Sequence, residues 1–200
     1  MTTPSALRLE PATLEDIPAI AELWFEVFTD PMMRHLFPPT PGVRQWWEKA
    51  NRDDFINKPF QRYVKIVDPE SNNANGQPRL VAYAKWDLAM VAERGSRFPP
   101  WHEDQPAGDC DNFFGSLEKE RQRVMGDRKN FYLDMLGTHP EYRKRGAGSM
   151  LVKWGCDLAD DEGAGAYVDA SKAGAPLYEK FGFVDHSQPD TIGIASMARR

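Results

Sequence analysis

The chain is 200 residues long, 41% hydrophobic and 28% charged, a composition that suits one domain with its own apolar core. Thirty acidic against 25 basic residues leave a net charge of −5, which counts against a nucleic-acid partner because such binders carry a basic excess. No apolar run has bilayer-spanning length and the first residues lack a signal-peptide core, so a soluble, cytoplasmic protein with no membrane partner is expected.

Ala6 to Thr13 alternates in polarity and predicts a first strand. Thr13 then offers an N-cap, with Glu15 and Asp16 in the first turn of a helix. Its apolar residues, Ile17, Ile20, Ala21, Trp24, Phe25 and Phe28, recur at i, i+3, i+4 and i+7, carrying the helix to about Thr29. Phe37 to Gly42 breaks the chain, and Val43 to Phe55 predicts a second helix. Gln61 to Val67 and Arg79 to Asp87 read as hairpin strands around an Asn-, Gly- and Pro-rich turn over 68–78. The stretch 94–111 holds three prolines and no period, which predicts a loop, functional rather than idle at such length. Phe113, Phe114, Leu117, Val124 and Met125 then predict a helix over 112–125, with Asp111 as N-cap.

Phe131 to Thr138 predicts a strand, and a helix with Ala147, Met150, Leu151, Trp154 and Leu158 on one face follows it. Ala166 to Ser171 reads as a strand, 175–182 as a short helix closed by Gly182, and 183–186 and 191–197 as two last strands. The sum is about seven strands and four to five helices, hence a mixed sheet flanked by helices, of the α+β or α/β class. The two cysteines, Cys110 and Cys156, match no metal-ligand spacing and are expected as free thiols.

Between the strand ending at Thr138 and its helix lies Arg143-Lys144-Arg145-Gly146-Ala147-Gly148. Gly146 and Gly148 lack a Cβ, so a ligand can approach the backbone closely there. The first N–H groups of the helix have no intrahelical acceptor and can point at an anion. The helix dipole adds roughly 0.3–1 kcal/mol of attraction. Three neighbouring cations suit a pyrophosphate better than a single phosphate. The dinucleotide fingerprint does not fit, since it needs Gly-x-Gly-x-x-Gly, nor does the nucleotide-triphosphate loop, since Ser149 and Met150 follow Gly148. A solvated strand-to-helix turn is the alternative on this hexapeptide alone.

Taken with its surroundings, the turn is not alone. The strand, "THPEYRKRGAGSMLVKWG", the strand "YVDAS" and "APLYEKFGF" together resemble the GNAT superfamily of acyl-CoA-dependent N-acetyltransferases. That family's signature, Gln/Arg-x-x-Gly-x-Gly/Ala after a strand, is met here with Pro140, Tyr142 and Arg143 leading in. The specific part covers about Phe131 to Val184, and "ATLEDIPAIAEL" is also typical. The long segment over about 90–130 is similar to that of fungal members and reads as an insertion in a single acetyltransferase domain spanning 1–200.

The resemblance implies a GNAT-like, mostly antiparallel sheet splayed at its two central strands, with acetyl-CoA as co-substrate and no metal. It implies that the backbone of Arg143, Lys144, Arg145, Gly146, Ala147, Gly148 and Ser149 holds the CoA pyrophosphate. Leu136, Gly137 and Thr138 would pair with the pantetheine arm, and Ser171, where the family often has Asn, would contact its amides with a shorter reach. Tyr178 falls on the family's general-acid tyrosine. The expected acceptor is a small-molecule amine that attacks the thioester directly, because a bulky loop could close over a pocket and no recognition domain is appended; Cys156, mid-helix, is a poor nucleophile. Protein N-terminal or lysine acetylation and a non-catalytic acyl-CoA-binding regulator remain alternatives, and homodimers are common in the family although no feature here forces one.

An aliphatic amine is mostly protonated at neutral pH, and removing its proton costs roughly 4–5 kcal/mol. Asp134, inside an apolar strand, is the candidate base, or else an ion-paired aspartate; by alternation it shares a face with Tyr132 and Leu136. Asp169 is a lesser candidate, and His139 reads as a turn residue. Trp24, Phe28, His35, Trp46, Trp47 and Trp86 are candidates for an acceptor wall, with Trp24 and Phe28 also fitting a core, and Trp101 is a candidate lid residue.

Overall fold

The computed structural model describes residues 7–90, 93–188 and 193–200. The strands are β1 (Arg8–Pro11), β2 (Gln61–Asn72), β3 (Pro78–Asp87), β4 (Asn130–Thr138), β5 (Gly165–Ser171), β6 (Val184–Asp185) and β7 (Ile194–Arg199). The helices are α1 (Ile17–Val27), α2 (Pro31–Leu36), α3 (Pro41–Asn57), α4 (Ala107–Met125), α5 (Ala147–Asp161) and α6 (Ala175–Glu179). The strands form one seven-stranded sheet in the order β1-β2-β3-β4-β5-β7-β6. Every neighbouring pair is antiparallel except β4 and β5, which are joined through α5 and run parallel. This is the mixed, mostly antiparallel architecture that the sequence predicts.

Strand alternation divides the core between two faces. Trp86, Phe131, Leu133 and Val168 pack on one side against Leu151, Val152 and Cys156 of α5. Tyr63, Tyr83 and Met135 pack on the other against Ile20 and Trp24 of α1, Trp47 of α3 and Phe114 of α4. Trp86 thus belongs to the α5 side, not to an acceptor wall. Both cysteines are free and buried.

Local chemistry accounts for where the elements depart from expectation. Thr13 caps a 3-10 turn, Leu14–Asp16, donating its N–H to Asp16 at 2.7 Å, and α1 begins only after it. The unpredicted α2 starts on Pro31 behind Asp30, whose carboxylate accepts from the Met33 N–H at 3.0 Å. The same device, Thr40 before Pro41, starts α3 two residues ahead of the predicted Val43. β2 runs on to Asn72, through residues read as turn. Asp111 is not the cap of α4: that helix begins at Ala107 behind Pro106, and Asp111 instead accepts from Trp101 Nε1 at 2.8 Å. Of the predicted strand over 191–197, residues 191–192 lie outside the described residues.

Candidate active site

β4 and β5 pair from Asn130↔Gly165 to Leu133↔Val168 and no further, although the strands continue to Thr138 and Ser171. β4 stays on β3 as far as Thr138↔Ala82, with Gly137 opposite Tyr83. The edge of β4 that faces β5 is therefore open over 134–138, and a gap widens between the two strands. The gap opens beside a bulge: Trp86 pairs with Leu133 and Lys85 with Met135, leaving Asp134 as the extra residue. The bulge corrects the expected alternation, since Met135 packs with α1 and Leu136 with the α5 side. Asp134 keeps company with Tyr132 but not with Leu136.

Two cations hold Asp134. Its Oδ2 lies 3.2 Å from Lys85 Nζ, and its Oδ1 accepts from Arg97 Nη2. Lys85 also meets Asp54 at 2.6 Å, and Asp54 meets Lys58 at 2.7 Å. Although burial opposes ionisation, Arg97 and Lys85 together keep the Asp134 carboxyl well below the usual carboxylate range. An aspartate held in this way has little affinity for a further proton. The general-base role expected of Asp134 is withdrawn, and the ion-paired alternative is the one realised.

Asp169, next along the gap, is placed differently. It accepts hydrogen bonds from the Tyr132 hydroxyl at 2.8 Å and the Tyr167 hydroxyl at 2.9 Å, and among the described residues no cation pairs with it. Burial pushes its carboxyl above the ordinary range, even with the Tyr132 hydroxyl, the charge of Arg97 and the Tyr167 hydroxyl acting the other way. Tyr178 comes from α6 on the opposite, α5, side of the sheet and lies 5.9 Å edge-on to Phe183. Burial raises its hydroxyl, so it is protonated at neutral pH. Asp169, Tyr178, Leu136 and Ser171 line one cavity of about 300 Å³, walled on its outer side by Phe28, Met32, Met33, Phe113 and Leu117. The Ser171 hydroxyl accepts from the Gly174 N–H at 3.2 Å.

The basic-glycine turn closes the other end of the gap. Lys144 (φ 62°) and Gly146 (φ 92°) both adopt left-handed backbone, and Gly146 caps α5. Such alternation turns successive amides toward one concavity. The amides of Lys144 to Ser149 have no backbone acceptor among the described residues. Arg143 and Lys144 are exposed, whereas Arg145 lies 4.4 Å over the Tyr142 ring and 3.9 Å from Asp68. Ala147 is buried, and a Cβ on Gly148 would come within 3.1 Å of Leu177 Cδ2 and 3.9 Å of Thr138 Oγ1. The head of α5 is therefore packed tightly against Leu177 of α6 and lies in ordinary contact with the end of β4.

The remaining candidates fall outside the gap. Trp24 and Trp47 are core, 4.9 Å apart, while Phe28 stacks on Trp24 and reaches the cavity. His35 meets Asp109 at 2.7 Å. His139 is a turn residue: its Nδ1 accepts from the Glu141 N–H at 3.3 Å. Trp46 Nε1 donates to the Pro100 carbonyl at 2.8 Å, and Lys58 Nζ to the Ser96 carbonyl at 2.9 Å, so the segment carrying Trp101 is fastened to α3 rather than hanging over the cavity. Sequence reasoning missed Lys85, Arg97 and Tyr132. The charge of Lys85 inside an apolar strand was the available signal; Arg97, in an aperiodic loop, gave none.

A profile of the acetyltransferase (GNAT) family matches residues 42–183, and the chain belongs to that family, whose chemistry is acetyl transfer. A mosquito arylalkylamine N-acetyltransferase-like 5b structure is similar with a TM-score of 0.66 and 15% identity, over 98% of this chain and 99% of that one. A Corynebacterium glutamicum structure described as histone acetyltransferase HPA2 and related acetyltransferase has a TM-score of 0.61 and 23% identity, over 97% and 96%. Arabidopsis thaliana NAA60 in complex with acetyl-CoA has a TM-score of 0.54 and 13% identity, over 97% of each chain. At these identities the likeness speaks for the fold. No curated protein sequence matches the chain significantly.

Proposed function

We propose that this protein transfers the acetyl group of acetyl-CoA directly to the primary amine of a small, largely apolar molecule. The observation that carries the reading is the gap itself, with a cation-free carboxylate on one side, a protonated phenol on the other and an anion-accepting turn at its end. The pyrophosphate sits on the amides of Lys144 to Ser149, with Arg143 and Lys144 alongside. The pantetheine arm lies along Leu136, Gly137 and Thr138 as an added strand, with Ser171 facing it, and unpaired amides on the open edge of β4 steady the oxyanion.

The amine enters from the Phe28–Met32–Phe113 side and gives a proton to Asp169. A raised carboxyl suits this step, because each unit by which base and amine approach removes about 1.4 kcal/mol of the transfer cost. The C–N bond forms, the tetrahedral intermediate collapses, and the C–S bond breaks toward the α5 side, where Tyr178 gives its proton to the sulfur and is reprotonated by the second proton leaving the nitrogen. An ammonium and a thioester thus become an amide, a thiol and one proton.

Calorimetric titration of acetyl-CoA into the protein and into Gly146→Glu tests the reading. Micromolar binding, lost in the variant, is expected, followed by thiol release when amines are added. Absence of binding to the unaltered protein overturns it.

A further inference from the structure

A guanidinium lines the cavity in which an ammonium has to bind. Arg97 reaches in from the segment before α4; its side chain is 9% exposed, and it lies 4.9 Å over Phe114 and 5.2 Å over Tyr132. One end of its fork holds Asp134, but its Nε–H is buried with no acceptor among the described residues. A buried donor without a partner costs free energy until a ligand supplies one. Asp134 is not a sufficient counter-ion for it, since Lys85 shares that carboxylate. Asp169, which has no ion-pair partner among the described residues, lines the same cavity as Arg97. Tyr132 stands between them: the Arg97 guanidinium lies 5.2 Å from its ring centroid, and its hydroxyl donates to Asp169 at 2.8 Å. Of the other two acids of the cavity, Asp134 is held by Lys85 and Arg97, and Asp30 is engaged in capping α2.

A plain amine would satisfy Asp169 and be repelled by Arg97. A molecule with an ammonium and a carboxylate on one carbon offers each of the two charges its opposite within the one cavity. The remaining wall, Phe28, Met32, Met33, Phe113 and Leu117, is apolar. Resting on the acetyl-transfer reading above, we propose that the acceptor is a free α-amino acid with an apolar side chain, its ammonium on Asp169 and its carboxylate on Arg97. The product is then the N-acetyl amino acid: the C–N bond forms, the C–S bond breaks, one ammonium proton passes to Asp169, and the other replaces the proton that Tyr178 gives to the sulfur.

The test compares L-phenylalanine, L-phenylalaninamide and 2-phenylethylamine, and likewise leucine, leucinamide and isoamylamine, by kcat/KM for thiol release from acetyl-CoA. The free acids are expected to exceed the decarboxylated amines by about 30-fold or more, the effect of a hydrogen-bonded charge. Arg97→Gln should bring that ratio toward one, and Arg97→Lys, which keeps a charge opposite Asp134, should restore part of it. The unaltered protein decides the matter even if the variants fold poorly. Decarboxylated amines or amides that react as well as the acids overturn the proposal, an amide preference pointing to a peptide N-terminus. No turnover of any of the six with acetyl-CoA bound also overturns it, whereas failure to bind acetyl-CoA overturns the underlying reading.

Discussion

Two aspartates one strand apart show how neighbours decide what a carboxyl can do. Asp134, between Lys85 and Arg97, is ionised and structural. Its proton affinity in the folded state is depressed, so its stabilising effect is present above about pH 3.9, the unfolded value, and fades as pH falls toward the folded one. Asp134→Asn leaves two buried cations under-compensated and should cost about 3 kcal/mol at pH 7 by urea denaturation. The deficit should shrink in acid. Asp169 shifts the other way, and as the proposed base it has to be deprotonated to act. The acidic fall of kcat/KM should therefore lie above the ordinary carboxylate range, and Asp169→Asn should lose that limb along with most of the rate. Tyr178→Phe removes the proton for the leaving sulfur and should lower kcat by about 100-fold with acetyl-CoA affinity unchanged. An affinity change of similar size would make Tyr178 a binding residue instead.

At the scale of elements, α5 is the piece on which the cofactor site depends, and its seating on the sheet is unusually close. A Cβ on Gly155 would lie 2.0 Å from the Trp86 ring. Gly155→Ala improves helix propensity in isolation, yet it should destabilise the protein by about 1–3 kcal/mol, because a ring between strand and helix has nowhere to go. Urea midpoints measure this, and a stabilised variant would contradict the packing argument. The strand, turn and helix order around Gly146 was legible in the sequence because every signal there is local: alternation, glycines, an apolar stripe. The short α2 was not, since six residues give too little period to see. The bulge at Asp134 was not either. An extra residue is invisible in its own strand and appears only against the partner, here Lys85 and Trp86. Arg97 was hidden for a related reason, its contact with Asp134 spanning 37 positions of sequence.

Across the whole molecule, the sheet is continuous in name but joined at its middle over a short seam. Four residue pairs, Asn130↔Gly165 to Leu133↔Val168, connect β1–β4 to β5–β7, and beyond them the two halves diverge. About half of each central strand runs on without the other beside it, a condition that ordinary sheets reserve for their outer edges. A cofactor arm lying there is then a structural member as well as a reactant, a keystone that completes the arch. Binding at a hundred times the dissociation constant should add about 2.7 kcal/mol of stability. Amide exchange should slow on both β4 and β5 at once, though only one of them carries the turn proposed to hold the phosphates. Product release, on the proposed reading, should reopen the arch, so that the protein loosens and tightens through its own midline with every turnover.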